Sequence, residues 1–147
     1  MIEITELKEA TQKAITDINV LLPQLRTHTN DETEFEASLE ELATLVGSDS
    51  AALVVAMDGT RIVGMATLYI LPKFCKRVGI IEDVVVDSAY RGQHLGERIM
   101  NSLIEYARAN GLKTLSLTSR PDRVAAHHLY EKLGFTKKET DVFRLTL

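Results

Sequence analysis

The apolar and polar positions at the start of the chain have the spacing of one strand followed by two helices. Residues 2–7 alternate apolar and polar positions, as a half-buried strand does. Over residues 9–22 the apolar side chains recur at helical spacing, and Pro23 is expected to end or kink that helix. A second apolar stripe covers residues 35–46 and stops at Gly47, a typical helix end.

Strand patterns dominate the middle of the chain. Residues 51–57 and 61–71 are apolar runs separated by an Asp-Gly turn, which predicts a hairpin. Residues 77–87 form a further run that is β-branched and almost continuously apolar. Such a strand is expected to be buried on both faces.

The last third alternates helix and strand patterns. An amphipathic helix begins near residue 95 and closes at Gly111, and a strand covers 113–119. A short helix follows over 121–134, and a pair of closing strands is predicted within 136–147. The order of elements predicts one mixed α/β domain over residues 1–147 with a largely antiparallel sheet. One strand–helix–strand unit is expected to form a right-handed parallel crossover.

Composition narrows the function classes. The formal net charge of −4 argues against a general nucleic-acid binder. The single cysteine, Cys75, excludes an internal disulfide, and four histidines without a second ligand cluster give no basis for a metal site. The acidic start is not a signal peptide, and the apolar runs are far too short to span a membrane. We expect a cytoplasmic protein without a membrane partner.

The segment YRGQHLGERIM at 90–100 joins the buried strand to the next helix. Unpaired N–H groups and the helix dipole favour an anion at such a junction. Gly92 and Gly96 permit close backbone approach, and Arg91 can bind a phosphate. The spacing matches neither a P-loop nor the dinucleotide-binding fingerprint. Taken alone, the segment is either a phosphate loop or an ordinary tight turn.

Two carboxylates interrupt the apolar strand before this loop. Strict alternation places Glu82 on the face of Val84 and Val86, and Asp83 on the face of Val85. Desolvation in such a strand raises a carboxyl pKa toward the range of a general base. A structural carboxylate bound to an arginine or a backbone N–H is the alternative. Farther along, Tyr130 is either a core aromatic or a functional hydroxyl.

These parts in this order resemble the GNAT superfamily of N-acetyltransferases. The resemblance is carried by IIEDVVVDSAYRGQHLGERIM and AAHHLYEKLGF, and it covers about residues 78–136 closely. It implies a central, twisted, mostly antiparallel sheet of about seven strands flanked by four helices. It also implies acetyl-CoA as co-substrate, with no metal.

The resemblance assigns roles to individual residues. The loop that holds the CoA diphosphate corresponds to Arg91, Gly92, Gln93, His94, Leu95, Gly96 and Glu97. The pantetheine arm would follow Val84, Val85 and Val86, with Ser119 nearby. Tyr130 corresponds to the family's tyrosine that protonates the thiolate of CoA, and Glu82 to its base, with Asp83 as the alternative.

Two positions depart from the family pattern. The middle glycine of the loop is His94 here. We expect His94 in ordinary helical geometry with negative φ and an outward ring, because a positive φ is costly for this residue and would count against the cofactor assignment. Arg123 stands where the family often has asparagine, and it either reaches the cofactor or is a solvated helix residue.

The substrate that accepts the acetyl group is the part of the function that the sequence determines least. The resemblance places the acceptor site around 24–32 and 72–77, where Arg26 and His28 are the candidate anion-binding groups and Asp83 lies close by. A small-molecule primary amine that also carries an anionic group is expected, as in glucosamine-6-phosphate or aminoalkylphosphonate acetyltransferases. A protein or peptide acetyltransferase and a non-catalytic acyl-CoA-binding module are the alternatives. The β-rich end 141–147 further predicts a homodimer.

Overall fold

A computed structural model of the chain describes residues 1–26 and 36–147. Its strands are β1 (Ile2–Glu6), β2 (Ala51–Asp58), β3 (Arg61–Lys73), β4 (Lys76–Val86) and β5 (Leu115–Ser116). Its α-helices are α1 (Gln12–Leu21), α2 (Leu39–Val46), α3 (Leu95–Ala109) and α4 (Val124–Lys132). Two short 3-10 helices cover Leu22–Arg26 and Ser88–Tyr90. The predicted mixed α/β class and four helices are confirmed within these residues.

The strands form one sheet in the order β1-β2-β3-β4-β5. The first four strands pair antiparallel, while β4 and β5 pair parallel on either side of α3. The predicted parallel strand–helix–strand unit is therefore present. In β2 alternate residues point to opposite faces of the sheet, and both sets are buried.

Two hydrophobic cores lie on the two faces. One core contains Ile99, Met100 and Leu103 of α3 with Tyr130 of α4, and we call its side of the sheet the α3 face. The other contains buried residues of α1 together with Leu42 of α2, and its side is the α1 face. The sheet is thus sandwiched between helices, which explains the unbroken apolar run of β2.

The ends of the first two helices follow local signals. The α-helical part of α1 ends at Leu21, and Pro23 lies in the 3-10 helix that follows, as predicted. Helix α2 starts at Leu39 because the Ser38 side chain accepts from the Glu41 N–H while Glu41 bonds back to the Ser38 N–H. This Ser-x-x-Glu capping box was readable in the sequence. The predicted start at residue 35 lies outside the described residues.

The predicted pair of closing strands is wrong. Residues 136–147 contain neither helix nor strand, so the described sheet has five strands rather than about seven. The predicted strand 113–119 is also shorter, because β5 pairs with β4 only at Leu115 and Ser116. So short a strand offers few N–H and C=O groups to a further strand on its outer edge. Four large apolar side chains near the end of the chain remain exposed: Val142, Phe143, Leu145 and Leu147.

Candidate active site

A β-bulge interrupts β4 at the two predicted carboxylates. Thr67 of β3 lies opposite Glu82 and Met65 opposite Val85, so two residues of β4 face the single residue between them on β3. Asp83 is the first of these two residues, and its backbone is left-handed with φ 53°. Positive φ is uncommon for aspartate but easier for it than for a branched residue.

The bulge changes which side chains share a face. Val84 and Val86 pack toward the α3 face, whereas Val85 is buried on the α1 face. Glu82 pairs with Thr67, next to Leu68 of the α3 core, and so points to the α1 face. The predicted grouping of Glu82 with Val84 and Val86 is therefore wrong, since one extra residue reverses the alternation.

The strand is also less buried than predicted at this point, because Glu82 and Asp83 are both exposed. The pKa of Glu82 is nevertheless raised above 4.5, chiefly by partial desolvation and then by the neighbouring negative charge of Asp83. Arg144 acts in the opposite direction. Tyr69 of β3, which the sequence argument did not select, has a pKa raised by burial and by both carboxylates.

A gap opens beside the second half of β4. The parallel pairing with β5 ends at Ile80 and Ser116, so the described part of the chain places no strand beside residues 82–86 on that side. The Ser119 hydroxyl lies beyond the end of β5, where its oxygen is buried without a hydrogen-bond partner among the described residues. A buried hydroxyl without a partner is costly, so this position suits a ligand with polar groups.

The glycine loop follows the 3-10 helix Ser88–Tyr90. Arg91 is extended, Gly92 has φ 81°, and His94 has φ 59° and ψ 22° immediately before α3 begins. Its ring is outward, with 81% of the side chain exposed, as expected. The expected negative φ of His94 is wrong: α3 can begin at Leu95 only after a left-handed turn of the backbone.

Positive φ at His94 counts against a cofactor loop on the sequence argument, but the geometry weakens that objection. Gly92 is left-handed as well, and the N–H groups in the first turn of a helix can bind an anion whichever residue precedes the helix. The conformation costs a non-glycine residue about 1–2 kcal/mol, which histidine tolerates better than most. The imidazole lies 3.8 Å from the Glu97 carboxylate, a long and exposed contact that offsets little of this cost.

The loop, the bulged strand and the last helix meet at the start of α3. A Cβ atom on Gly96 would lie 3.5 Å from a Leu129 methyl and 3.9 Å from a Val86 methyl. The Lys132 ammonium donates to the Glu97 carboxylate at 2.9 Å and ties α4 to the first turn of α3. These distances show that the regions that carry the motifs lie together, although β4 ends at Val86 and α4 begins only at Val124.

Tyr130 is a core aromatic residue, which was one of the two alternatives for it. It is 8% exposed and packs against the α3 core, with its ring centroid 6.0 Å from that of Phe135. Burial raises the pKa of its hydroxyl, and the positive charge of Arg123 partly lowers it. Arg123 lies just before α4 and is exposed, and its side chain makes no capping hydrogen bond.

The acceptor side is only partly described. The side chain of Arg26 and the whole of His28 lie outside the described residues. Gln24, in the same 3-10 helix as Arg26, accepts a hydrogen bond from the Ser88 N–H at 2.9 Å and joins this region to the turn before the glycine loop. Arg77, a cation of the predicted acceptor region, instead donates to the Asn110 carbonyl at 2.8 Å.

Two properties of the described residues bear on the expected ligands and on a membrane partner. No three histidine, cysteine, aspartate or glutamate side chains in residues 1–26 and 36–147 are grouped so that they could bind a metal ion. None of the helices in these ranges is both long and apolar enough to cross a membrane.

Comparison with known proteins agrees with this geometry. The family model described as "Acetyltransferase (GNAT) family" matches residues 17–135. A glucosamine 6-phosphate N-acetyltransferase of Oryza sativa subsp. japonica is 38% identical over 115 residues, which are 76% of this chain and 67% of that protein.

Solved structures extend the match over the whole chain. An acetyltransferase of Trypanosoma brucei is 32% identical with a TM-score of 0.78 and full coverage of both chains. A glucosamine-6-phosphate N-acetyltransferase of Arabidopsis thaliana is 26% identical with a TM-score of 0.74, covering 99% of this chain and 98% of that one.

Proposed function

The chain belongs to the GNAT family of acetyltransferases and is an N-acetyltransferase, and from that premise we propose that it transfers the acetyl group of acetyl-CoA to a primary amine of a small, phosphorylated amino sugar. The observation that carries the proposal is the position of Gly96, where an added Cβ atom would lie within 4 Å of both Val86 and Leu129. The start of α3, the open edge of β4 and the helix of the buried Tyr130 therefore lie close together.

The donor is proposed to bind along the α3 face. The N–H groups of the loop 91–97 suit the two negatively charged phosphates at a helix start. The free edge of Val84, Val85 and Val86 suits the amide groups of the pantetheine arm, and the Ser119 hydroxyl is a further partner. Arg123, exposed just before α4, is a further candidate for the arm or a phosphate. The fit rests on unpaired polar groups of the chain itself.

Acetyl transfer requires a neutral amine, and a free alkyl amine has a pKa of about 10. Glu82 is proposed to accept the amine proton directly or through water, since its raised pKa makes it a better base than an ordinary carboxylate. As the C–N bond forms, the acetyl oxygen becomes negative, and the Val84 N–H beside the bulge is the candidate donor to it. The C–S bond then breaks, and the thiolate takes a proton from the Tyr130 hydroxyl.

The acceptor class rests on similarity to the rice and Arabidopsis enzymes. In this chain, the negative charges of Glu82 and Asp83 both act on Tyr69, so this part of β3 and β4 is an acidic, hydroxyl-bearing surface that suits an ammonium group. Lys73 and Lys76 are exposed at the far end of the β3–β4 hairpin, six strand residues or about 20 Å from Glu82, so they lie too far away to bind the phosphate of the same small acceptor. Because of the similarity, glucosamine 6-phosphate is the first acceptor to test, followed by unphosphorylated amino sugars and aminoalkylphosphonates.

The test measures release of CoA thiol from acetyl-CoA with each acceptor. We expect turnover with glucosamine 6-phosphate, and a loss of about 10²–10⁴-fold in kcat for Tyr130→Phe with little change in the KM for acetyl-CoA. Tyr106→Phe is the matched control, because Tyr106 is partly buried in the middle of α3.

Two results would redirect the proposal. Turnover of peptides but of no small amine would favour a protein acetyltransferase. Tight CoA binding without any turnover, unaffected by Tyr130→Phe, would favour a non-catalytic acyl-CoA-binding module.

We further propose that the enzyme is a homodimer. Val142, Phe143 and Leu145 are 70%, 92% and 82% exposed, an unusual cost for large apolar side chains that are close together. The same segment runs near the acceptor side, since the charge of Arg144 lowers the pKa of Glu82. A second copy that covers this segment would bury the apolar groups and border the acceptor site.

A further inference from the structure

Three of the four residues in the turn 87–90, which leads into the glycine loop, are bonded to other parts of the chain. Asp87 and Tyr90 bond to the β2–β3 hairpin, and the Ser88 N–H donates to Gln24 at 2.9 Å. Ala89 donates its N–H to Asp87 at 3.0 Å within the turn. The proposed diphosphate loop starts at the very next residue, Arg91.

Asp87 anchors the start of the turn. It is 6% exposed, and its N–H donates to the Val63 carbonyl at 2.9 Å. One carboxylate oxygen accepts from Ala89, and the other accepts from the Arg61 guanidinium at 3.3 Å. A buried carboxylate with this many donors is held in one position.

Tyr90 anchors the end of the turn. Its hydroxyl donates to the Asp58 carboxylate at 2.6 Å, while its ring packs against the α3 core. The bond to Asp58 is the main reason that the pKa of Tyr90 lies above 10, so the proton stays on the tyrosine throughout the physiological range. Asp58 ends β2 and Arg61 begins β3, so both ends of the turn are bonded to the same hairpin.

A loop that contains left-handed residues gains affinity for its ligand if its conformation is fixed before binding, because less entropy is lost on association. The backbone at Gly92 and His94 is left-handed, and an added Cβ on Gly92 would meet nothing within 4 Å, so little packing holds the loop tip itself. Its geometry must then come from its two ends, the Tyr90 anchor and the first turn of α3.

We propose that Asp58 and Tyr90 are a positioning pair that fixes the diphosphate-binding loop and thereby sets the affinity for acetyl-CoA without touching it. The inference rests on the proposed function of the loop. Asp58 lies outside the segments that carry the family resemblance, and the two residues are 32 positions apart. Their effect should appear only with donors that contain the diphosphate.

The test compares two acyl donors, acetyl-CoA and S-acetylpantetheine, which has the same thioester and arm but no diphosphate. Tyr90→Phe keeps the packed ring and removes the hydroxyl. We expect the Kd for CoA, measured by calorimetry, to rise about tenfold, the equivalent of one charge-assisted hydrogen bond. The kcat/KM for acetyl-CoA should fall by the same factor, while kcat/KM for S-acetylpantetheine should stay within about twofold of wild type.

Asp58→Ala tests the other partner. It should weaken CoA binding to a similar extent, and the double variant should be no worse than either single variant, because both remove one shared interaction. Tyr106→Phe is the control and should change neither donor.

The outcomes separate this inference from the proposed function. Equal losses with both donors in Tyr90→Phe, or an unchanged Kd for CoA, would overturn the positioning role while wild-type turnover still supports the acetyltransferase. If wild type uses neither donor and does not bind CoA, the proposed function fails first. An additive double variant would also overturn the pairing.

Discussion

Backbone conformation marks the candidate site at the scale of single residues. Three non-glycine residues in the described part of the chain have positive φ, and two of them, Asp83 and His94, lie where the acetyl group and the diphosphate are proposed to bind. Such conformations persist where the surroundings force them, and they concentrate at functional sites. In both places an ordinary conformation would turn backbone N–H groups in another direction.

His94 allows a direct test of this strain. Its side chain makes no capping hydrogen bond, so His94→Gly loses little and relieves the left-handed backbone. We expect the free energy of unfolding to rise by up to about 1 kcal/mol for His94→Gly, and to fall by more than about 1 kcal/mol for His94→Val, with His94→Asn between them. Denaturant titration measures all three, and equal stabilities across the series would contradict the assignment of strain.

Glu82 predicts opposite pH dependences for activity and for stability. As the proposed base it must be deprotonated, so kcat/KM should fall as the pH drops through its raised pKa, with the midpoint above 4.5. Glu82→Gln should lower kcat about 10²–10⁴-fold and remove that acid limb. A pH–rate profile between pH 4.5 and 9 measures both, and an unchanged limb in the variant would exclude Glu82 as the base.

The sign for stability follows from the same shift. Folding raises the pKa of Glu82, so the folded state favours the protonated carboxyl. This contribution to folding stability is fully present below the pKa of the unfolded state. It is lost as the pH rises through the pKa of the folded state. Glu82→Gln should therefore be slightly more stable than wild type at pH 7.5, with the gap closing toward pH 4. Since Glu82 is exposed, the difference in melting temperature should be small.

At the scale of the element, the absence of a side chain at Gly79 lets the residues that follow α3 pack closely against β4. A Cβ atom there would lie 2.6–2.8 Å from methyl groups of Leu115, Leu68 and Leu112. Gly79→Ala should lower the free energy of unfolding by about 1–3 kcal/mol through overpacking.

Gly96→Ala is the matched control, because its methyl group would make only ordinary contacts and would favour the helix. We expect Gly96→Ala to be neutral or stabilising in thermal denaturation. A Gly79→Ala variant as stable as wild type would show that the three leucines repack at no cost.

Elements with local signals were predictable, and those that depend on distant partners were not. The Asp-Gly hairpin turn, Pro23 and the stripe of α3 each encode their structure within a few residues. The bulge at Asp83 could not be read from the alternation of β4, because it exists only through the register with β3. The anchor from Tyr90 to Asp58 likewise joins residues 32 positions apart and leaves no local trace.

At the scale of the whole molecule, the order of the motifs was sufficient to predict the family and the class of fold, but not the end of the chain. The apolar residues of 141–147 have the composition of a strand, and yet they pair with none of the described strands and leave large apolar side chains exposed. This discrepancy is the physical ground for the proposed homodimer.

Sedimentation tests the homodimer. Wild type should sediment at twice the mass of one chain, and the double variant Phe143→Ser with Leu145→Ser should shift toward the monomer. Phe74→Ser is the control, because Phe74 is 98% exposed but lies in the turn between β3 and β4. A wild-type monomer at all concentrations would overturn the proposal.

The bulge in β4 has a last consequence for the order of events in catalysis. It turns Glu82 toward the α1 face and Val84 toward the α3 face within a few residues of one strand. If the two substrates bind as proposed, with the acceptor on the α1 face and acetyl-CoA on the α3 face, β4 separates them and the gap toward β5 connects the two sides. Two substrates that arrive from separate sides do not compete for space, so we expect both to be bound before any bond changes. We then expect the acetyl group to pass directly from CoA to the amine, without a covalent acetyl-enzyme.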